Sequence, residues 1–225
     1  MLTNKNYLLI AFGVAMATLF LLFPHIDIAF SSIFFDVQTG KFIYKESQVV
    51  RFLYHFVIKV VQLFAIGVIA LLLLSLYYKK EFFNLSKKKL LYLLVVLIVG
   101  PILVVNIIFK DNWGRARPAH IVEFNGTQKF TPPFVKTNQC DTNCSFVCGH
   151  ASAAFYFFAL IPLVAPRHQR AVAWFALTFG TLIGLVRIVQ GGHFLSDVIF
   201  SGFFVYFSYK IVYWVMFERP MPHSP

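Results

Sequence analysis

Two histidines, one carboxylate and three permanent cations concentrate the chemistry of this sequence. Lys110 opens the stretch Lys110-Asp111-Asn112-Trp113-Gly114-Arg115-Ala116-Arg117-Pro118; Cys148-Gly149-His150 follows, and Arg187, His193 and Asp197 complete the set. Lys and Arg bring fixed positive charge, and a planar guanidinium fork matches the oxygens of a tetrahedral oxyanion. His193 and Asp197 stand four apart, so on a helix they share a face and can hydrogen-bond. That bond is expected to set the imidazole tautomer and leave the second ring nitrogen free to attack. His150 is then available to protonate a departing oxygen. Backbone N–H groups near Gly149 and His150, at the start of a helix, would add a further anion site. A nucleophile, an acid and cations together suit phosphoryl transfer, which asks chiefly for positioning and for neutralised charge on the equatorial oxygens.

Other chemistries fit less well. Mg²⁺ often neutralises a phosphoryl group, but the acids Asp27, Asp36, Glu46, Asp111, Glu123 and Asp141 are scattered. Lys110, Arg117 and Arg187 are expected to do that work with no metal and no cofactor. Cys140-x3-Cys144-x3-Cys148-x-His150 departs from the shorter paired spacings of zinc sites. A cysteine phosphatase needs an Arg soon after its nucleophile, and Gly149-His150-Ala151-Ser152-Ala153-Ala154 has none. A Cys140–Cys144 disulfide leaving Cys148 free is one pairing the sequence allows without selecting it.

Lys110 and Asp197 lie 87 positions apart, so folded elements must bring the set together. Of 225 residues, 59% are hydrophobic and only 13% charged, with a mean hydropathy of +0.72. A soluble domain would be about a quarter charged, and 28 Phe residues exceed what one water-soluble core hides. The solvent for most of the chain is therefore lipid. Crossing hydrocarbon takes about 20 apolar residues as a helix, and six segments qualify: 7–24, 52–78, 90–109, 151–165, 171–189 and 198–217, with Pro162 expected to bend the fourth. The first follows Lys5, but the bulky Leu22-Phe23-Pro24-His25 gives no small-residue cleavage site, so it reads as a retained helix. The expectation is an all-α, polytopic bundle of six transmembrane helices forming one domain over 1–225.

The net charge of +11 falls in short clusters between apolar runs. Such clusters orient a membrane protein, and they lack the continuous basic stripe that would indicate nucleic acid. Lys5, then Lys79, Lys80, Lys87, Lys88 and Lys89, then Arg167 and Arg170, and finally Arg219 all fall on one side. The positive-inside rule makes that side cytoplasmic, with both terminal segments there. The long segment at about 110–150 is then outside, and all three Cys residues lie in it, where an oxidising compartment permits a disulfide. Every residue of the reactive set sits at the outside end of a span, and charges near hydrocarbon are usually functional. A transporter would show paired broken helices recurring in two halves, and none recur.

With those residues in place, Lys110-x6-Arg117-Pro118, Cys148-Gly149-His150 and Arg187-x5-His193-x3-Asp197 resemble the three-part signature of the type 2 phosphatidic acid phosphatase (PAP2) superfamily in order, spacing and placement. The resemblance implies that His193 becomes phosphorylated, Asp197 orients it, and His150 protonates the leaving group, while Lys110, Arg117 and Arg187 bind phosphate. Cys148 and Gly149 would line the same pocket. Cys148 stands where the family usually has Ser; S–H is the weaker donor, so a neutral thiol with a somewhat reduced rate or an altered selectivity is expected. The stretch Cys140-Asp141-Thr142-Asn143-Cys144-Ser145-Phe146-Val147 resembles a bacterial subgroup acting on lipid A, the lipid A 4'-phosphatases. This implies a phosphorylated lipid substrate, an inner-membrane location and a periplasmic site. A phosphotransferase or a phosphatase of another lipid would use the same intermediate.

The remaining polar residues read more plainly. Arg115 either supports the phosphate-binding groups from behind or is an exposed charge. His120 and Glu123 read as surface loop residues, and Trp113 and Tyr7 as interfacial anchors. His25, His55, His168 and His223 have no partner motif. Lys59, inside the second span, is the odd charge out.

Overall fold

The computed structural model describes residues 4–219, so His223 lies outside the described residues, as does the side chain of Lys5. Helix α1 (Asn4–Leu22) turns by 83° at Phe23 and Pro24 into the short α2 (His25–Ser32). A two-residue hairpin, β1 (Phe35–Asp36) with β2 (Lys41–Phe42), leads to α3 (Gln48–Tyr77), the longest helix. Then come α4 (Lys87–Lys110), the 38-residue loop 111–148, α5 (Gly149–Leu163), α6 (Pro166–Val189) and α7 (Leu195–Glu218). Four helices (α3, α4, α6 and α7) are long and apolar enough to cross a membrane, and the bent α1–α2 pair makes a fifth. The chain is thus an all-α, multi-pass membrane protein. The sixth expected span, α5, is shorter: Pro162 falls in a stretch wound as 3-10 helix over Tyr156–Leu163.

Prolines and glycines set how the helices approach. Pro101 lies inside α4, where it has no N–H to donate, and α4 is wound as π-helix from Ile98 to Lys110. Such wider turns absorb a break in the ladder, and the last of them ends at Lys110. Asn106 Nδ2 caps the carbonyl of Pro101 at 2.7 Å. On α6, a side chain at Gly180 would collide with the Phe155 ring, and one at Gly184 with Val198. Bare backbone there lets α6 sit close to α5 and α7, the usual device for packing helices in lipid. Outward faces carry Leu63, Ile66, Trp174 and Ile211 to the surface, as a bilayer solvent allows. The loop 111–148 folds back over one end of the bundle, and Gly114 (φ +74°) takes the left-handed conformation there against the carbonyl of Thr137.

Candidate active site

The loop over the bundle end is stitched to the helices by backbone hydrogen bonds, and these join the three motifs. Cys144 N–H donates to Lys110 O at 3.0 Å and Ser145 N–H to Arg115 O at 2.8 Å, linking the first motif to the second. Cys148 N–H donates to Asp197 O at 3.2 Å and Ala119 N–H to Gly191 O at 3.0 Å, which ties in the third. The Cys140–Cys144 disulfide forms, with Cα atoms 5.7 Å apart, and Cys148 is the free thiol. Two sulfurs of the conceivable zinc set are thereby occupied by each other, and among the described residues no three His, Cys, Asp or Glu side chains gather into a metal site.

His193 is fully buried between α6 and α7. Its Nδ1 lies 2.7 Å from the carbonyl of Ser145, an acceptor only, so Nδ1 carries the proton and donates it there. Nε2 is left deprotonated, and it is a buried nitrogen without a partner. Burial pulls the imidazole pKa down to about 3; Asp197 opposes this, while Arg187 and Lys110 add to it. The ring is therefore neutral near pH 7, with its Nε2 lone pair available. The expected direct bond to Asp197 is not what sets the tautomer: Asp197 Oδ2 stands 3.6 Å from Nδ1, beyond a hydrogen bond. Asp197 acts one step removed, accepting from Ser145 Oγ at 2.5 Å and from Phe194 N–H at 2.8 Å, and so holding the segments on either side of the ring.

Of the two readings of Arg115 the exposed charge fails: its guanidinium is spent on carboxylates and a carbonyl inside the protein, behind the groups expected to meet phosphate. It is wholly buried, donating to Asp197 at 2.5 Å, Asp27 at 2.8 Å and the Thr131 carbonyl at 2.8 Å, with its guanidinium 4.3 Å from the Phe194 ring centre. Asp27, read from sequence as one of the scattered acids, also accepts from Ser196 N–H at 2.9 Å and Ser196 Oγ at 2.5 Å. The bend between α1 and α2 delivers it to the start of α7. Its signal in the sequence was a lone acid in the apolar run Ile26-Asp27-Ile28. Trp113 packs 5.0 Å from Phe109 and 5.8 Å from Phe146, within the aromatic cluster under the loop.

The cations gather around the second and third motifs. A Cβ on Gly149 would sit 3.3 Å from Lys110 Nζ and 3.0 Å from Asn106 Oδ1, so the lysine ammonium lies close against the start of α5. Arg187 packs against Gly192, next to His193, and is hydrogen-bonded to Gln190. Arg117 donates to the carbonyl of Asn143 at 2.6 Å. Lys110, Arg117 and Arg187 all lie within electrostatic reach of His150, as does His193. The sequence reading gave α3 no part here, yet Tyr54 stacks on His150 with ring centres 4.1 Å apart and lies 4.7 Å beneath the Arg187 guanidinium. Tyr54 carried no signal among the aromatics of its helix, and Ser145 none beyond its place before the second motif. Cys148 N-caps α5: its sulfur accepts from Ala151 N–H at 3.5 Å. Burial pushes its thiol pKa up against the pull of Arg187 and Lys110, so the thiol stays neutral.

A membrane helix bundle with a loop-covered histidine site and cations from three motifs defines a class: the chain belongs to the PAP2 superfamily, which its residues 89–221 match. It is 45% identical over 201 residues, 89% of this chain and 90% of the other, to a lipid A 4'-phosphatase of Francisella tularensis subsp. novicida (strain U112). A lipid A 4'-phosphatase of Rhizobium leguminosarum is 37% identical over 46% of this chain and 44% of its own length. A lipid A 1-phosphatase of Rhizobium etli is 36% identical over 45% of this chain and 41% of its own. No solved structure matches.

Proposed function

We propose that this protein removes a phosphate from lipid A, at the 4' position, through a phosphohistidine on His193 and without a metal or cofactor. The observation that carries the reading is the buried, unpartnered Nε2 of His193, its tautomer set by the Ser145 carbonyl, beside Lys110 and Arg187. Nε2 attacks phosphorus while the phosphorus–oxygen bond to the lipid breaks, and His150 gives the leaving oxygen a proton. Water, losing a proton to His150, then attacks phosphohistidine, releasing inorganic phosphate and restoring His193. Lys110, Arg117 and Arg187 neutralise the phosphoryl oxygens, the electrostatic part of such a step. The 45% identity to a lipid A 4'-phosphatase over most of both chains supports the substrate.

The same reading places the protein in a bacterial inner membrane, with its terminal segments cytoplasmic and the site periplasmic. The lysine cluster at one end of the bundle and the disulfide at the other support it. Lipids from cells with and without the protein, compared by mass spectrometry, test it. The expected result is a lipid A species lighter by about 80 Da, the metaphosphate unit of phosphoryl transfer. Purified enzyme should release phosphate equally with and without EDTA; unchanged lipid A, or activity lost to EDTA and restored by a divalent ion, would overturn the reading.

A further inference from the structure

Helix α3 carries polar groups that the reaction does not use. Gln48, Arg51, Phe52, His55, Phe56 and Lys59 line an outward-facing groove of about 440 Å³. Arg51, His55 and Lys59 recur at every fourth residue, one face of a helix, and span about 12 Å along its axis. Further along, that face is exposed and apolar at Leu63 and Ile66, so it looks into lipid. Among the described residues the Arg51 side chain pairs with Glu46 alone, at 2.7 Å and 61% exposed, a weak pairing that an incoming dianion can displace. Lys59 has no hydrogen bond or ion pair among the described residues.

Orientation does not explain these cations, because they sit in the half of α3 away from the lysine cluster, with Lys59 inside the span, where the positive-inside bias disfavours them. Charge at the edge of hydrocarbon is costly and marks function. A guanidinium fork, an ammonium and an imidazole N–H are the donors that hold phosphate oxygens. The row lies close to the catalytic groups: the His55 ring meets Tyr54 edge-on at 4.9 Å, and Tyr54 stacks on His150. His55 has no hydrogen bond among the described residues to fix its tautomer and no second imidazole beside it to protonate a leaving group, so an anion held there is bound and not cut.

We propose that Arg51, His55 and Lys59 form a second phosphate-binding site. It holds a second phosphomonoester on the same lipid whose first phosphate enters between Lys110, Arg117 and Arg187. This rests on the reading above that the substrate is lipid A, whose phosphatases among the relatives are named for two positions, 4' and 1. The site would anchor the headgroup by the phosphate that stays and present the one that leaves.

The test uses the purified full chain in neutral detergent, as wild type, the double variant Arg51→Gln/Lys59→Gln, and His55→Gln. Each is assayed on a lipid bearing both phosphates and on the same lipid bearing only the cleaved one. The double variant should raise KM about tenfold on the doubly phosphorylated lipid, the scale of losing charge-assisted contacts, with kcat unchanged. His55→Gln should raise it less. On the singly phosphorylated lipid all three proteins should match, which also shows that the variants fold. Equal KM on both lipids, or the same loss on both, would overturn the second site. So would an effect seen only when phosphatidylglycerol is added, which would assign the row to neighbouring phospholipid. Wild type inactive on both lipids would instead overturn the proposed function.

Discussion

Arg115 and Arg117 stand two residues apart and do opposite work. Arg115 is sealed between Asp27 and Asp197, whereas Arg117 leans on one loop carbonyl. Removing one member of a buried ion set leaves uncompensated charge and costs about 3–5 kcal/mol. Arg115→Ala should therefore lower stability by about that much in detergent unfolding, while Arg117→Ala should move it by less than about 0.5 kcal/mol and lose turnover instead. Equal stabilities would show that the buried network does not matter. Ser is a better N-cap and a better donor than Cys, so Cys148→Ser should retain or raise turnover; collapse to background would show that the sulfur itself is needed. His193 gives a pH signature. Its folded pKa is lowered to about 3, against about 6.5 in an unfolded chain. Above about pH 6.5 both states are neutral and the group contributes nothing; below it the unfolded chain takes a proton the folded one refuses. Stability should fall by about 1.4 kcal/mol per pH unit from about pH 6.5 towards pH 3. In unfolding titrations His193→Asn should lack that component, and an unchanged slope would contradict the burial argument.

The short disulfide loop is where one element serves the site most directly. Within or beside it, Asn143 holds Arg117, Cys144 holds the end of α4, and Ser145 holds His193. Reducing wild type, or making Cys140→Ser/Cys144→Ser, should lower kcat/KM about tenfold, a loss of about 1.4 kcal/mol in positioning. The double variant should then be indifferent to reductant. Wild-type kinetics untouched by reduction would separate the loop from catalysis. What the sequence made legible at this scale follows from contrast: Lys110, Arg117, Arg187, His150, His193 and Asp197 stand out because a membrane chain has few polar residues to confuse with them. The bond pattern was not legible. Asp27 reaches Arg115 only because α1 turns at Pro24, and Asp197 stands off from His193 because the Ser145 carbonyl has taken Nδ1. Neither depends on spacing along the chain.

Over the whole molecule, the helices act as a scaffold whose two ends differ in charge and purpose. One end carries Lys79, Lys80 and Lys87 to Lys89; the other carries the site beneath the loop 111–148. The spans were readable from hydropathy, since a lipid solvent demands long apolar runs. Their irregularities were not: π-winding past Pro101, the shortened α5 and the bent first pair are responses to prolines and packing that window averages smooth over. The π-winding ends at Lys110, and the bend of the first pair carries Asp27 to Arg115. All of this converges on one nitrogen. Rapid quenching of the enzyme during turnover of a lipid labelled in its phosphate, followed by peptide mapping under alkaline conditions that preserve phosphohistidine, tests that convergence directly. The account predicts label on His193, absent from His193→Asn; label on Cys148 or His150, or full turnover by His193→Asn, would contradict it.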